Sequence, residues 1–544
     1  MVTSKLVLSA LLSSLIAVYF RRKLKARRAA RDDGSNVTSL ANLNGPSSYS
    51  WVTGNLPGFL YAENTGDEDD TLVQQFGLAC RIKLMFNENA LFLADPKGLQ
   101  YVLNTSGYHF HKRAGAEISR ILLGGKNILG VEVNNTSLGE EHARQRRILA
   151  PSFSQSYLHE ILVERWNDLI SSKQGSGVDI DLNMWLSCLT LDALGQGVLS
   201  YDFGALTDKP SEYVEAFRGL FVDMFATEQS TSQLVMANLI GRLPAFMRQR
   251  LLTLTIQATD KFQKFMSISS KISSSIILRE KEAIDLGKPK GKDLLSTLSK
   301  SVVISQFYPK TNPQTLNALA IAGHDTTSSM LQWVFYELAL HPEAQAKIRE
   351  EIRTIKETRN VQELGTSEFE LMHYTMAVLK ETLRFHPIAP HNMRCADRDD
   401  IIPLAYPVKT ISGKEVQAIS VKKGQYVFMT HYGYNRIEDL WGKDTDKWIP
   451  ERFLNESESM RSKRTIGVFA HLATFSSGVH GCIGWRFAML EMQAILIGLI
   501  EHFEFAPIAS NPVILKKMAA TMYPAVKGEL ARGAQMPLFI KPVS

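Results

Sequence analysis

Apolar residues recur at every third or fourth position along most of the chain, the spacing that gives a helix one buried face. That pattern predicts helices over residues 158–171, 181–195, 261–287, 313–340, 342–358 and 367–385. Two boundaries carry their own signals. Asn312 before Pro313 reads as an N-cap with proline at the first helical position, and Pro342 after His341 closes one helix and opens the next. Alternation suited to strands is scarcer, confined to 81–86, 90–93 and segments between Ile401 and Met429. The expected fold class is mainly α with a minor β portion.

The first twenty residues depart from this pattern. Residues 6–20 hold no charge, and Lys5 alone interrupts the apolar run from Val2 to Phe20. As a helix that run would span ~28 Å, against the ~30 Å of a hydrocarbon core. Residues 21–31 follow with seven basic side chains and no acidic one. The net charge of +6 is therefore local, and the rest of the chain sums to −1, too little for a nucleic-acid surface. Positive charge behind the apolar run, instead of ahead of it, argues for a signal anchor over a cleaved signal and leaves the body in the cytosol. The expected organisation is a transmembrane helix over 1–20 in contact with membrane lipid, a basic flank and linker over 21–55, and one large domain over 56–544. Residues 32–53, rich in Ser, Asn and Gly, read as the linker, and the acidic stretch 63–70 as a solvated loop.

Four cysteines, at 80, 188, 395 and 482, are too few and too scattered for a disulfide framework, and none pair at C-x-x-C spacing. Cys482 stands apart by its setting. It lies in Phe475-Ser-Ser-Gly478-Val-His480-Gly481-Cys482-Ile-Gly484, just ahead of a helical pattern over 485–498. Flanking glycines let the backbone come close to a flat cofactor. A helix start beside the sulfur favours thiolate over thiol. A lone cysteine is more often a buried apolar side chain, but the spacing of phenylalanine and glycines here argues against that reading.

This segment resembles the cysteine motif of the cytochrome P-450 superfamily, F-x-x-G-x-R-x-C-x-G, with His480 in place of the arginine. The resemblance runs from about Gly45 to the end of the chain. It implies the P-450 fold of the eukaryotic microsomal type, a single large haem-binding domain, with haem b as cofactor and Cys482 as axial ligand to its iron. Phe475, Gly478 and Gly484 then belong to the haem cradle. His480 would pair with a propionate, more weakly than arginine and with pH dependence.

Further motifs follow the family order. Ala322-Gly323-His324-Asp325-Thr326-Thr327 lies within the helix that begins at Pro313. A carboxylate beside a hydroxyl can relay the protons that oxygen activation consumes, although small residues here also suit helix packing. The resemblance assigns Asp325 and Thr326 to proton delivery, and Ala322 and Gly323 to space above the iron. Glu381 and Arg384 form an i, i+3 pair that in isolation would be worth only ~0.3–0.5 kcal/mol. With Arg452 of Pro450-Glu451-Arg452-Phe453, the resemblance makes them a structural triad ahead of the cysteine loop; Trp448 stands where phenylalanine is usual. His142 and Arg146 share one helix face, and with Arg394 they are implied as propionate partners. Pro309 and Pro313, sixteen and twelve residues before Asp325, make that helix shorter upstream than is usual in the family.

The activity so implied is a haem-thiolate monooxygenase that uses O2 to hydroxylate or epoxidise an apolar organic substrate. Electrons would come from a separate NADPH-dependent flavoprotein reductase, with a small haem electron carrier as a second candidate donor, since the chain shows no dinucleotide fingerprint. The expected location is the endoplasmic reticulum membrane, single-pass, with the catalytic domain facing the cytosol. Two alternatives stand beside this reading. One is a reductase-independent haem-thiolate isomerase or peroxygenase, which often lacks the acid–alcohol pair; the other is a non-catalytic haem-binding relative, which needs no such pair. Residues 106–138 and 203–252, where the family selects substrates, carry no ligand pattern. Arg242, Arg248 and Arg250 in the second suit an access channel near a membrane surface.

Overall fold

The long helical patterns fold nearly as spaced. The computed structural model describes residues 36–112, 159–172, 176–199, 201–207, 211–217, 260–285, 313–455, 462–519 and 521–543. Its main helices are α1 (Asp67–Phe76), α2 (His159–Ser172), α3 (Leu182–Leu194), α4 (Asp260–Asp285), α5 (Pro313–Leu340), α6 (Pro342–Arg359), α7 (His373–Phe385) and α8 (Trp485–His502). The Asp181 carboxylate caps α3 by accepting from the Asn183 N–H, and α5 starts at Pro313 as its sequence predicts. Asn312, its expected cap, and Pro309 lie outside the described residues. The single helix expected over 367–385 is instead a short turn, Thr366–Phe369, followed by α7. The break has a cause on α6: the Glu351 carboxylate accepts from the Tyr374 and Thr375 N–H groups at 2.7 and 2.9 Å, capping a helix that must begin at His373.

The strands are β1 (Val37–Ser39), β2 (Ala79–Lys83), β3 (Asn89–Leu93), β4 (Phe110–His111), β5 (Val178–Asp181), β6 (His391–Ala396), β7 (Asp400–Lys409), β8 (Glu415–Val421), β9 (Tyr426–Thr430), β10 (Phe503–Pro507), β11 (Ile514–Met518), β12 (Met522–Val526) and β13 (Pro537–Pro542). They form a five-stranded sheet in the order β2-β3-β9-β6-β4, three-stranded sheets β1-β8-β7 and β10-β13-β5, and the hairpin β11-β12. β1 pairs in parallel with β8, Val37 opposite Ala418. A mainly α body with minor sheets is the architecture expected. The amount of strand is larger than alternation alone suggests, because β5, β6, β10 and β13 find their partners far along the chain.

The core gathers around α5, which packs against α3, α7, α8 and β10. Trp166, Trp333, Phe335 and Phe503 are buried there. Burying each such aromatic side chain contributes on the order of 2–3 kcal/mol.

Three expectations need correction. The single-pass anchor, and with it the placement at the endoplasmic reticulum membrane, is not upheld: no helix among the described residues is long and apolar enough to cross a membrane. Residues 1–20, on which it rested, lie outside them. The linker does not continue through residue 53. From Asn36 the chain is ordered into the body, with β1 in a sheet and Leu40 and Leu43 fully buried. The acidic stretch is a solvated loop only at its start, where Glu63 is exposed. Asp67, Glu68, Asp69 and Asp70 form the first turn of α1, where negative charge suits the helix dipole. Asp69 is buried against the His391 Nε2 at 2.8 Å.

Candidate active site

The Cys482 loop closes on itself through backbone bonds. The Cys482 N–H donates to the Phe475 carbonyl at 2.8 Å and the Gly481 N–H to the Gly478 carbonyl at 3.0 Å. Gly478 has φ +63°, and a Cβ there would lie 2.0 Å from the Leu103 carbonyl oxygen. Only glycine lets the loop press against residue 103. Cys482 is partly exposed, whereas Cys80, Cys188 and Cys395 are buried. Three residues later α8 begins, capped by Gly484 with no side-chain bond, so the positive end of an eighteen-residue helix lies close to the sulfur in sequence. Phe475 meets Phe469 edge-on, Phe469 packs on Trp485, and the His480 ring faces Tyr108 at 6.3 Å.

A buried polar scaffold holds this loop. Glu381 and Arg384, both fully buried, form a two-armed pair at 2.7 and 2.8 Å. Arg384 also donates to the carbonyls of Asn435, Thr445 and Lys447. Arg452 joins through its Nε, 3.4 Å from Glu381 Oε1, and donates to the Trp441 carbonyl. Trp448 donates its indole N–H to Thr382 at 2.9 Å, a bond that phenylalanine at this position could not make. Asn435 carries the scaffold to the cysteine segment. Its Oδ1 accepts from the Ala473 N–H, and its Nδ2 donates to Thr474 Oγ1. Thr474 in turn donates to the Leu383 carbonyl at 2.6 Å. Sequence reasoning found Glu381, Arg384 and Arg452 but missed Asn435, which no local pattern marks.

On α5 the acid and the alcohol are adjacent in sequence but not bonded to each other. Thr326 donates to the Ala322 carbonyl at 2.7 Å, and Thr327 to that of Gly323 at 2.8 Å. Asp325 instead accepts from Thr521 Oγ1 at 2.9 Å. Burial pushes the Asp325 carboxyl up, and the Thr521 bond partly offsets this. His324, buried, is pulled down to about 4 and stays neutral near pH 7. An added Cβ at Gly323 would meet Leu194 Cδ1 at 2.8 Å, so the missing side chain there lets α5 and α3 approach. Glu491 on α8 was also missed. Its carboxyl is buried beside Thr327 without a hydrogen bond of full geometry, and burial pushes it well above the usual carboxylate range. The signal was available: a lone carboxyl inside the otherwise uncharged run from Phe487 to Ile500.

Whether these residues suit a haem can be judged from Arg394 on β6. Its guanidinium is buried yet, among the described residues, bonds only to Asn392 Oδ1 and the Met393 carbonyl, both at 3.1 Å. No described carboxylate pairs with it, and burial alone pulls it down to about 10. A buried cation served only by neutral oxygens is a fitting partner for a propionate. His142 and Arg146 lie outside the described residues.

The family profile described as cytochrome P-450 matches residues 44–531. Cytochrome P-450 monooxygenase 205 of Postia placenta is 32% identical over 534 residues, covering 93% of both chains. Cytochrome P-450 monooxygenase claW of Ampulloclitocybe clavipes is 28% identical, also over 93% of each chain. A ganoderic acid synthetase of Ganoderma lucidum is 29% identical over 84% of this chain and 86% of its own. A match of this extent means that the protein belongs to the cytochrome P-450 family and is a haem-binding monooxygenase.

Proposed function

We propose that the protein hydroxylates or epoxidises an apolar organic substrate, drawing electrons from a separate NADPH-dependent flavoprotein reductase. Haem b, when bound, supplies the activation of O2 and the insertion of one oxygen atom into the substrate. Cys482 would ligate the haem iron in this reading, and the helix behind it favours the thiolate. Arg394 holds a propionate, with His480 as a second contact and Phe475, Gly478 and Gly484 shaping the proximal cradle. His142 and Arg146 remain candidates for the same anion. Asp325 and Thr326 manage protons, and Ala322 leaves room on the facing side. The observation that carries a monooxygenase over a rearranging or peroxide-driven enzyme is the part-buried Asp325 carboxyl beside Thr326 on α5, held by Thr521. Neither alternative needs a proton-delivering acid there.

The test is reconstitution with a flavoprotein reductase and NADPH under labelled dioxygen. Lipids, terpenoids and aromatics are first screened for a low- to high-spin shift, with compounds related to ganoderic acid included because one relative bears that name. One labelled oxygen atom in the product, dependent on NADPH, is the expected result. Product formed without NADPH would instead support the reductase-independent alternative.

Arg394→Gln is expected to speed haem loss by roughly 10- to 100-fold, the equivalent of one charge-assisted bond of ~1.5–3 kcal/mol. Transfer of haem to an excess of haem-free globin measures it. An unchanged rate would remove Arg394 from the propionate site.

A further inference from the structure

The β11–β12 hairpin is fastened along its length. At its base the Lys516 N–H donates to Asn64 Oδ1, the Thr65 N–H donates to the Lys516 carbonyl, and Lys517 Nζ donates to the Ala62 carbonyl. Near its tip Met518 faces Met522, whose N–H donates to the Ile388 carbonyl at 2.8 Å. Thr521 sits in the turn, with its carbonyl accepting from the Ala519 N–H. Its hydroxyl donates across the gap to Asp325 Oδ2 at 2.9 Å.

On α5 the geometry separates what the sequence places side by side. Neighbouring helical residues point about 100° apart, and the Thr326 hydroxyl proton is already committed to Ala322. The acid is turned to the hairpin and not to the alcohol.

We propose that Thr521 is a positioning residue for this enzyme's reaction: from the hairpin tip its hydroxyl anchors the Asp325 carboxyl and sets how readily that acid takes up and gives up a proton. The proposal rests on the reading of Asp325 as the proton-delivering acid. A hydroxyl that donates to a carboxylate stabilises its ionised form, so losing it favours the protonated acid. Among the described residues, burial raises the Asp325 carboxyl and the Thr521 hydroxyl lowers it. On α5 and α8, burial pulls His324 down and pushes Glu491 up, in each case towards the neutral form. On β11, Lys516 is engaged by Glu337, Asp70 and Asp67, and Lys517 by the Ala62 carbonyl.

The experiment is an infrared pH titration of the purified haem-loaded protein. Asp325 is assigned by the carboxyl band lost in Asp325→Asn. Thr521→Val, close in shape but without the hydroxyl, is expected to raise the proton affinity of Asp325 about tenfold, in line with one bond to a charged group. Thr521→Ser should restore the original titration. An Asp325 titration that is the same in Thr521→Val, or an Asp325 band absent at every pH, overturns the proposal. A purely packing role for Thr521 would lower the unfolding temperature without moving the titration, and that outcome overturns it too. Peroxide release with reductase, NADPH and no added substrate is followed in parallel. If Asp325→Asn leaves its yield and solvent isotope effect untouched, the proton-delivery reading fails, independently of what the titration says of Thr521.

Discussion

Cys482→Ser is expected to abolish the strongly red-shifted Soret band that carbon monoxide produces in the reduced protein. That band requires a thiolate ligand, because sulfur would donate far more electron density to the iron than an oxygen or nitrogen ligand does. A serine hydroxyl at the same position is a poor ligand and stays protonated near pH 7. The fold should tolerate the change. Serine is close to cysteine in size, and the bond that closes the loop, from the 482 N–H to the Phe475 carbonyl, is a backbone bond. A change in unfolding free energy below about 1 kcal/mol is expected, in keeping with a small substitution at a half-exposed position. Wild-type protein whose band lies where histidine-ligated haem absorbs would remove Cys482 as the ligand.

The second large effect concerns stability. Arg384→Leu should cost about 3–5 kcal/mol, the usual consequence of leaving one member of a buried ion pair behind. Against a total of ~5–15 kcal/mol for a folded domain, that is a substantial part. Here the loss is compounded. Glu381 would keep only the Ile449 N–H and the longer contact to Arg452, while three carbonyls would lose their donor. Haem content should fall in parallel, because Asn435, steadied by Arg384, holds Ala473 and Thr474 ahead of Cys482. Arg353→Leu is the contrasting control. Arg353 also pairs with glutamates, Glu350 and Glu357, but on an exposed face, where solvent screens such pairs and little stability is lost with them. Urea unfolding and the haem-to-protein ratio read both variants. A cost under ~1 kcal/mol for Arg384→Leu would mean that the triad does not hold the loop.

What was legible in the sequence was what local spacing encodes. The start of α5 at Pro313, the join at His341-Pro342 and the cysteine loop with its glycines all follow from residues within a turn or two of one another. The Glu381–Arg384 pair was visible as a spacing, but its burial was not, because burial depends on a meander that returns some fifty to seventy residues later. Thr521, Asn435 and β13 were invisible for the same reason: each acts on a partner that the chain reaches only after folding. The acidic start of α1 misled by composition. Four consecutive acidic residues resemble a solvated loop until the helix dipole and the imidazole of His391 are placed beside them.

The pairing of β1 with β8 has a consequence for the order of events during synthesis. Val37 can complete its ladder only after Ala418 has left the ribosome, and Asn64 waits still longer for Lys516. At the usual ~5–20 residues per second, the amino-terminal strand would stay unpaired for tens of seconds. So long a delay exposes a bare edge to stray pairing. The brevity of β1, three residues, limits that hazard and suits a segment that must be among the last to dock.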